Sequence, residues 1–516
     1  MSGYVSTPQA DKHFSEKHPI SHLEFQGVSM FRPRVQFLDP ALIPQILDEA
    51  FGILENPGVI FQWMPALELL ADFGAEVNFE TNTAHIPRAL VERALGTAPR
   101  EFFLYDAHGE IKVRYSGDAI QYDPGSSALW MYDSVTHDYR EPNTRDFVRY
   151  ARLADALPAF DAISTAFIPQ DVPNEMADLY RLYLCLRCSD KPVVTGAFAV
   201  DTMQVMRELL RATRGSDDAL KQKPRAVFDV CPTPPLQWSD NTSANIIEGA
   251  RNFIPMEFVS VPLAGAASPI TLIGSLTQHI AENLSGIVLH QCAQPGAPLV
   301  FGGAPAIFDM RMGVTPLGAL ESSMLSCAAA QIAKSLNLPT HGYLGLSDTK
   351  VPDMQAGWET GMSALLGALA GVNMMSGAGL LDSAAAFSIE KMIADAEVIA
   401  MARKTVEGIA PATDGTFALD ALRAVGPGGT FLDSAQTFER FRLDQIQHSP
   451  VVDRVTRRTW LAAGKQDTIA RARMQTEKLE RALKPRERDE TIARALQEIV
   501  AREAKRLGME QLPTLE

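Results

Sequence analysis

ALWMY (128–132), AISTAFI (162–168), PVVTGA (192–197), AVFDVC (226–231), FVSVP (258–262), LVFG (299–302), GYLG (342–345) and NMMS (373–376) are eight short apolar segments. They recur about every thirty to forty residues, and a helix-like stretch follows each one. Several are rich in Val, Ile, Phe and Tyr, side chains that suit a pleated, half-buried backbone, and most end at or just before Gly, Pro, Ser or Asp. An eightfold alternation of strand and helix is what a closed barrel requires, so the expected fold is α/β, a (β/α)8 TIM barrel. In that fold the chemistry sits on the loops that leave the C-terminal ends of the strands.

Outward from this run, helical patterns are expected at 144–156, 174–187, 201–213, 243–252, 275–291, 318–335, 355–370 and 383–403. Asn143, Asp201 and Asp240 stand where start signals belong. The barrel is therefore placed at residues 118–405. Residues 1–39 read as a flexible N-terminal arm and 40–117 as an α+β cap with a hairpin at 103–117 turning on Asp106 to Gly109. Residues 406–516 are charged and helical beyond a Gly-rich connection, a C-terminal extension expected to brace the barrel or support a homo-oligomer.

The bulk numbers set the class. The 516 residues carry 47 Lys and Arg against 62 Asp and Glu, a formal charge of −15, and nucleic-acid binding asks for the opposite sign. Mean hydropathy is near zero and no run of eighteen apolar residues occurs, so no membrane span is expected. The first thirty residues mix charge, His and Ser, which reads as a loose tail rather than a secretory signal, and the expected compartment is the cytoplasm. Cys185 and Cys188 form a single C-x-x-C in a Leu-rich helical stretch, without a second pair or nearby His, so no metal site is expected from the five cysteines.

Two groups of residues stand out at the strand ends. The loop after the seventh segment, HGYLGLSDTKVPDMQAGWE (341–359), is the densest polar patch in the barrel. It supplies Asp348, Lys350, Gln355 and Glu359 as candidate catalytic residues. Gln355 and Glu359 lie four apart and share a helix face; these residues either serve the chemistry or cap that helix and pair among themselves. His341 and Tyr343 share strand parity and can both face the barrel interior. Trp130, Tyr132, Trp238 and Tyr343 are aromatics at or just beyond strand ends, the residue type that cages a quaternary ammonium through cation–π attraction. Arg311 follows the sixth strand, with Asp309 beside it as catalytic neighbour or ion-pair partner. The sequence contains neither a Walker loop, a G-x-S-x-G elbow nor an H-E-x-x-H helix.

A set of ordered motifs adds a resemblance. IPQILDEAFGIL (43–54), GAEV (74–77), IPRALVERAL (86–95) with Ala98 and Pro99, VPLAGAASPIT (261–271), AENL (281–284), SDTKVPDMQAGWE (347–359) and GPGGTFL (426–432) follow one another along residues 40–510. In order and spacing the chain resembles the trimethylamine:corrinoid methyltransferase family, in its pyrrolysine-lacking branch typified by glycine betaine methyltransferases. The resemblance implies a (β/α)8 enzyme that moves a methyl group from an amine to the cobalt of a corrinoid carried by a separate protein, with no metal bound by this chain. Archaeal members carry pyrrolysine near the seventh-strand region, whereas this chain has standard residues there, which shifts the expected donor away from trimethylamine.

The chemistry agrees with that shift. A tertiary amine would have to expel an amide-like anion, whereas a quaternary ammonium leaves as a neutral tertiary amine. The resemblance thus implies a betaine donor, with Trp130, Tyr132 and Tyr343 caging the ammonium and Asp348 or Glu359 opposing its charge. Arg311, Lys350 or His341 would hold a carboxylate, and Gln355 would orient the substrate or contact the corrinoid. Carnitine, proline betaine and a sulfonium such as dimethylsulfoniopropionate fit the same cage, and a non-catalytic betaine-binding barrel is the reading from a different class.

Overall fold

The computed structural model describes residues 31–411, 416–445, 449–483 and 489–515. Eight parallel strands close a barrel: β1 (Gln121–Pro124), β2 (Ile163–Ser164), β3 (Val193–Gly196), β4 (Ala226–Val230), β5 (Met256–Ser260), β6 (Leu299–Gly303), β7 (His341–Gly342) and β8 (Met374–Ala378). Strands β2 to β6 are paired in chain order, with Phe228 opposite Met256 and Phe258 opposite Phe301. The seam between β6 and β7 is made by Phe301 N–H donating to the Pro339 carbonyl at 2.8 Å. Closure comes from β8 pairing with β1, and from Asp161 N–H donating to the Tyr122 carbonyl at 2.9 Å beside β2. The helices of the outer ring are α1 (Thr144–Ala156), α2 (Ala177–Cys188), α3 (Val200–Arg214), α4 (Asp240–Arg251), α5 (Leu272–Ala293), α6 (Leu320–Ser335), α7 (Met354–Ala370) and α8 (Ile389–Glu407). Asn143 starts α1 with a reciprocal cap, accepting from Asp146 N–H at 3.1 Å while Asp146 accepts from Asn143 N–H at 3.0 Å.

One strand differs from the sequence reading. The segment at 128–132 is not a barrel strand. Trp130–Asp133 pairs with Asp138–Arg140 as a hairpin and with Ala386–Phe387, beyond the barrel wall. The first strand lies earlier, at Gln121-Tyr-Asp-Pro124, which has little apolar character because its inward residue is Asp123. Its outward residue, Tyr122, is buried and donates its hydroxyl to the Ala364 carbonyl at 3.0 Å. The other seven segments each overlap a strand.

The N-terminal end of the barrel is plugged. A hairpin of Phe102–Tyr105 and Ile111–Tyr115 inserts Phe102, Leu104, Val113 and Tyr115 against Ala162, Val194, Val227, Val300 and Met374. Those five come from the strands or their immediate edge, so the lowest interior layer is apolar and closed. The rest of the cap, the helices Leu42–Glu55, Met64–Asp72 and Arg88–Thr97, lies against α5. Gln237–Trp238 joins its small sheet.

Residues 1–30, most of the arm read from the sequence, lie outside the described residues. Phe31 to Asp39 are held: Val35 N–H donates to the Leu369 carbonyl, and Phe37 and Leu38 N–H both donate to Gln331 Oε1. Beyond the barrel, Thr468–Ala482 packs on α1 and α8, and Glu490–Arg506 packs on α2 and α3. The second is pinned by Arg502 to Glu208 at 2.7 Å.

Burial along α5 generates a pH dependence. His290 is buried against the Phe258 ring, its Nε2 has no hydrogen-bond partner among the described residues, and desolvation pushes it down to about 3 from 6.5. Above about pH 6.5 the ring is neutral in both states; below it the unfolded chain binds the extra proton, so stability is lost as pH falls. At pH 5 this is about 2 kcal/mol. His290→Phe should therefore gain about 2 kcal/mol relative to wild type between pH 7.5 and pH 5 in urea unfolding. Parallel pH profiles for the two proteins would contradict this account.

Candidate active site

Above the apolar plug, the next interior layer is ionisable. Asp123 on β1, Asp229 on β4, Glu257 on β5, His341 on β7 and Ser376 on β8 converge there. The two-residue strand period explains the placement: Val227 faces the plug layer, so Asp229 faces the layer above it. His341 Nδ1 lies against Glu257 Oε1, and its Nε2 is 2.9 Å from Ser376 Oγ. Ser376 in turn donates to Asp123 Oδ1. Because the serine proton is spent on Asp123, Ser376 Oγ accepts from His341, so the histidine carries its proton on Nε2 and presents a lone pair at Nδ1 to Glu257.

Electrostatics fit that arrangement. Burial pushes His341 down to about 4, so the ring is neutral at pH 7. Desolvation pushes the Glu257, Asp123 and Asp229 carboxyls well above their usual range, and Glu257 raises both aspartates further. A protonated Glu257 can then donate to His341, completing a chain from Glu257 through His341 and Ser376 to Asp123. Glu257 Oε2, Asp123 Oδ2 and Asp229 Oδ1 have no hydrogen-bond partner among the described residues, and neither has the Tyr115 hydroxyl that rises from the plug. Gly302 on β6 makes room: a Cβ there would sit 3.1 Å from His341 Nδ1 and 3.2 Å from Glu257 Cγ.

The layer opens upward. Asp229, Tyr343 and Ser126 are part-buried and Cys231 is exposed, whereas Asp123 and Glu257 are fully enclosed. A recess deep in the barrel reconciles the solvent contact of Asp229 with its heavy desolvation. Tyr343 stands edge-on to His341 at 5.2 Å between ring centroids, and its hydroxyl is pushed up by burial and then by Asp229. What this lumen can do is hold a cation beside a tyrosine ring and carboxyls whose ionisation a positive charge would favour.

The structure brings only part of the sequence-read set to this layer. His341 and Tyr343 are in it. Asp348, Lys350, Gln355 and Glu359 form a brace between loops at the barrel mouth. Asp348 accepts from Gly318 N–H at 2.9 Å and from Ser383 at 2.8 Å. Glu359 accepts from Ser347 at 2.5 Å, Asp348 N–H at 2.9 Å and Gln355 at 2.8 Å. Lys350 pairs with Asp382 at 2.9 Å. Arg311 lies on the exposed loop after β6, its N–H donating to Asp309 Oδ1. Trp130 is half-exposed on the hairpin at the rim, and Tyr132 packs with Ala356, Leu381 and Ala386. Trp238 is buried outside the lumen, against Phe258 and α5, and donates Nε1–H to Ser285 at 2.8 Å. Asp123, Asp229 and Glu257 escaped the sequence reading, although each is a lone acid at an inward position of a strand, a signal that a register argument can find. Among the described residues no group of three His, Cys, Asp or Glu side chains is arranged to hold a metal ion.

Comparison with known proteins shows the family of the chain. The family model described as trimethylamine methyltransferase (MTTB) matches residues 8–508. Trimethylamine methyltransferase MttB of Desulfitobacterium hafniense (strain DSM 10664 / DCB-2) is 33% identical over 448 residues, 87% of this chain and 90% of that protein. MttB of Methanosarcina barkeri is 33% identical over 440 residues, covering 84% and 87%. Glycine betaine methyltransferase of Desulfitobacterium hafniense (strain Y51) is 31% identical over 481 residues, covering 93% and 99%. Among solved structures, the monomethylamine methyltransferase MtmB of Methanosarcina barkeri aligns with a TM-score of 0.46 at 12% identity, over 72% of this chain and 76% of that one.

The brace is testable apart from any activity. Asp348→Ala removes the acceptor that ties Gly318 and Ser383 to the seventh loop. Amide hydrogen exchange should speed up at least about tenfold around residues 316–319 and 382–385 while the barrel strands stay protected. Unchanged exchange in both loops would contradict the brace.

Proposed function

The chain belongs to the trimethylamine methyltransferase (MTTB) family and is an enzyme of the methyltransferase class, and we propose that its methyl donor is a quaternary ammonium compound of the betaine type. The observation that carries this reading is the interior layer of Asp123, Asp229 and Glu257, whose unpartnered oxygens and raised carboxyl pKa values suit a cation held above them. Asp229 and Tyr343, the members open to the lumen, contact the ammonium. His341, held between Glu257 and Ser376, positions the layer. Trp130 at the rim limits water entry. The C–N bond breaks with both electrons going to nitrogen, so a neutral tertiary amine leaves and the methyl group moves as a cation equivalent.

The acceptor is a corrinoid carried by a separate protein, which when bound over the barrel mouth supplies the two-electron nucleophile. The rim offers apolar contacts to a bound carrier and its macrocycle: Phe198, Ile270, Met310, Met312, Met354 and Trp358 are all exposed on the loops or first two helical turns after β3, β5, β6 and β7. These side chains would seat it. What this chain contributes is orientation of the methyl carbon toward the mouth and exclusion of water from a charged substrate.

Raised carboxyl pKa values set a sign for binding. Without a ligand the layer holds extra protons; a cation in the lumen favours ionised carboxylates and drives protons out. Affinity for tetramethylammonium should therefore rise from pH 6 to pH 8, and titration calorimetry in buffers of different ionisation enthalpy should show proton release. Affinity independent of pH would count against a proton-sharing layer. For the reaction, a panel of quaternary amines and sulfoniums is offered with reduced cobalamin or a corrinoid protein, and the demethylated product is measured. We expect product from a trimethylammonium donor and a fall in kcat/KM of about tenfold or more in Asp229→Asn. No demethylated product from any quaternary amine would overturn the proposed donor class.

A further inference from the structure

The inward column of β4 rises from a sealed floor to an open top. Val227 belongs to the apolar plug, and Asp229 is part-buried in the ionisable layer. Cys231, one strand period further and just past the end of β4, is exposed. The outward alternates, Phe228 and Val230, pack in the main core. Of the five cysteines in the chain, Cys185, Cys188, Cys292 and Cys327 are buried and Cys231 alone meets solvent. Its thiol is nevertheless heavily desolvated, and burial first, then Asp229 and Glu257, push it up to about 12. Solvent contact and desolvation coexist where a side chain lines a recess, and the acids that act on this one are those of the lumen. Cys231 in turn acts on the Tyr343 hydroxyl, so the two share the space above the carboxyls.

An eight-stranded barrel is just wide enough for its inward side chains to fill, so an opening exists where those side chains are small. Gly196 on β3 stands in register beside Asp229, and one period above Asp229 the wall of β4 is only a thiol. In the closed ring β4 and β7 are three strands apart, so Cys231 and Tyr343 approach the recess from facing walls. Below them Asp229 Oδ1, Asp123 Oδ2 and Glu257 Oε2 lack hydrogen-bond partners among the described residues, and Asp123 and Glu257 are fully buried. Those orphaned acceptors mark the recess as a place for a ligand independently of the thiol. We propose that Cys231 is a specificity-determining residue: an N-methyl group of the donor lies against its sulfur, and a wall of this size admits methyl and refuses longer alkyl groups. This inference rests on the quaternary-ammonium reading above and adds what sets the width of the cavity. The thiol stays protonated at neutral pH, so it is a small, soft wall and not a competing nucleophile for the methyl group.

The test uses the intact chain, two thiol reagents and two quaternary ammonium ions. Wild type is treated with a methanethiosulfonate bearing a trimethylammonium group and, separately, with one bearing a sulfonate. The Cys231 thiolate attacks the sulfenyl sulfur, methanesulfinate leaves, and peptide mass spectrometry locates the mixed disulfide. Cys231 should react before the four buried cysteines. With each rate divided by that of a free small thiol, the cationic reagent should be faster than the anionic one by about tenfold or more. Tetramethylammonium should slow both. Titration calorimetry then reads size: wild type should prefer tetramethylammonium to tetraethylammonium, and Cys231→Ala should reduce that preference by about tenfold or more. If saturating tetramethylammonium leaves the labelling of Cys231 unchanged, its placement is overturned while the quaternary-ammonium reading stands; that measurement needs no variant to fold. Equal affinity of wild type for the two ions, or an unchanged preference in Cys231→Ala folded by thermal melt, overturns the role in specificity. If wild type binds neither ion, the quaternary-ammonium reading falls and takes this proposal with it.

Discussion

The contact between Glu257 and His341 inside a closed barrel is the constraint on which the rest of the structure turns. Two ionisable groups from β5 and β7 meet with side chains that are fully buried. Neither can be charged alone there without a large desolvation penalty, so burial lifts the carboxyl and lowers the imidazole, each toward its neutral form. A neutral pair still needs its remaining polar atoms satisfied, which fixes Ser376 as the acceptor from His341 and Asp123 as the end of the chain. Gly302 follows from the same requirement, because any side chain at that position of β6 would enter the space the pair occupies.

An ionisable layer in a barrel core also needs support from below. The hairpin of Phe102–Tyr105 and Ile111–Tyr115 supplies it by filling the N-terminal end with apolar side chains, so water reaches the layer from one direction only. That asymmetry separates stability from chemistry along the barrel axis. At the mouth, the loops after β6, β7 and β8 are tied together through Asp348, Glu359 and Lys350, which keeps the entrance in one shape. Outside, Thr468–Ala482 lies against α1 and α8, where the first and last strands meet, and Glu490–Arg506 lies against α2 and α3.

How much of this was legible in the sequence depended on which physical signal dominated locally. Seven strands were readable because their outward residues, such as Phe228 and Phe258, must be apolar to pack on helices. The first strand was not, because Gln121-Tyr-Asp-Pro124 devotes its inward position to Asp123 and reads as polar, while the nearby Trp130–Asp133 has the alternation of a strand and pairs outside the barrel. The seventh loop was found as a polar cluster, and its Gln355 and Glu359 do meet across one helical turn. Residue density, however, does not separate side chains that face a lumen from those that tie loops. His341 and Tyr343 were placed by parity, and parity applied to Asp229 and Glu257 would have reached them too.

Arg181 marks the limit of reading by strand ends. It comes from a helix, and nothing in the local pattern of LYRLYLCLRC distinguishes it from Arg187, six residues later and near the end of the same helix. What separates them is three-dimensional: Arg181 turns toward the β2 edge, where the Thr165 carbonyl and the Phe198 ring fix its plane. The carboxyl layer has oxygens without donors. Those oxygens stand at inward positions of strands, where alternation alone could have found them, whereas the surroundings of a helix residue such as Arg181 follow only from the packing of α2 on β2.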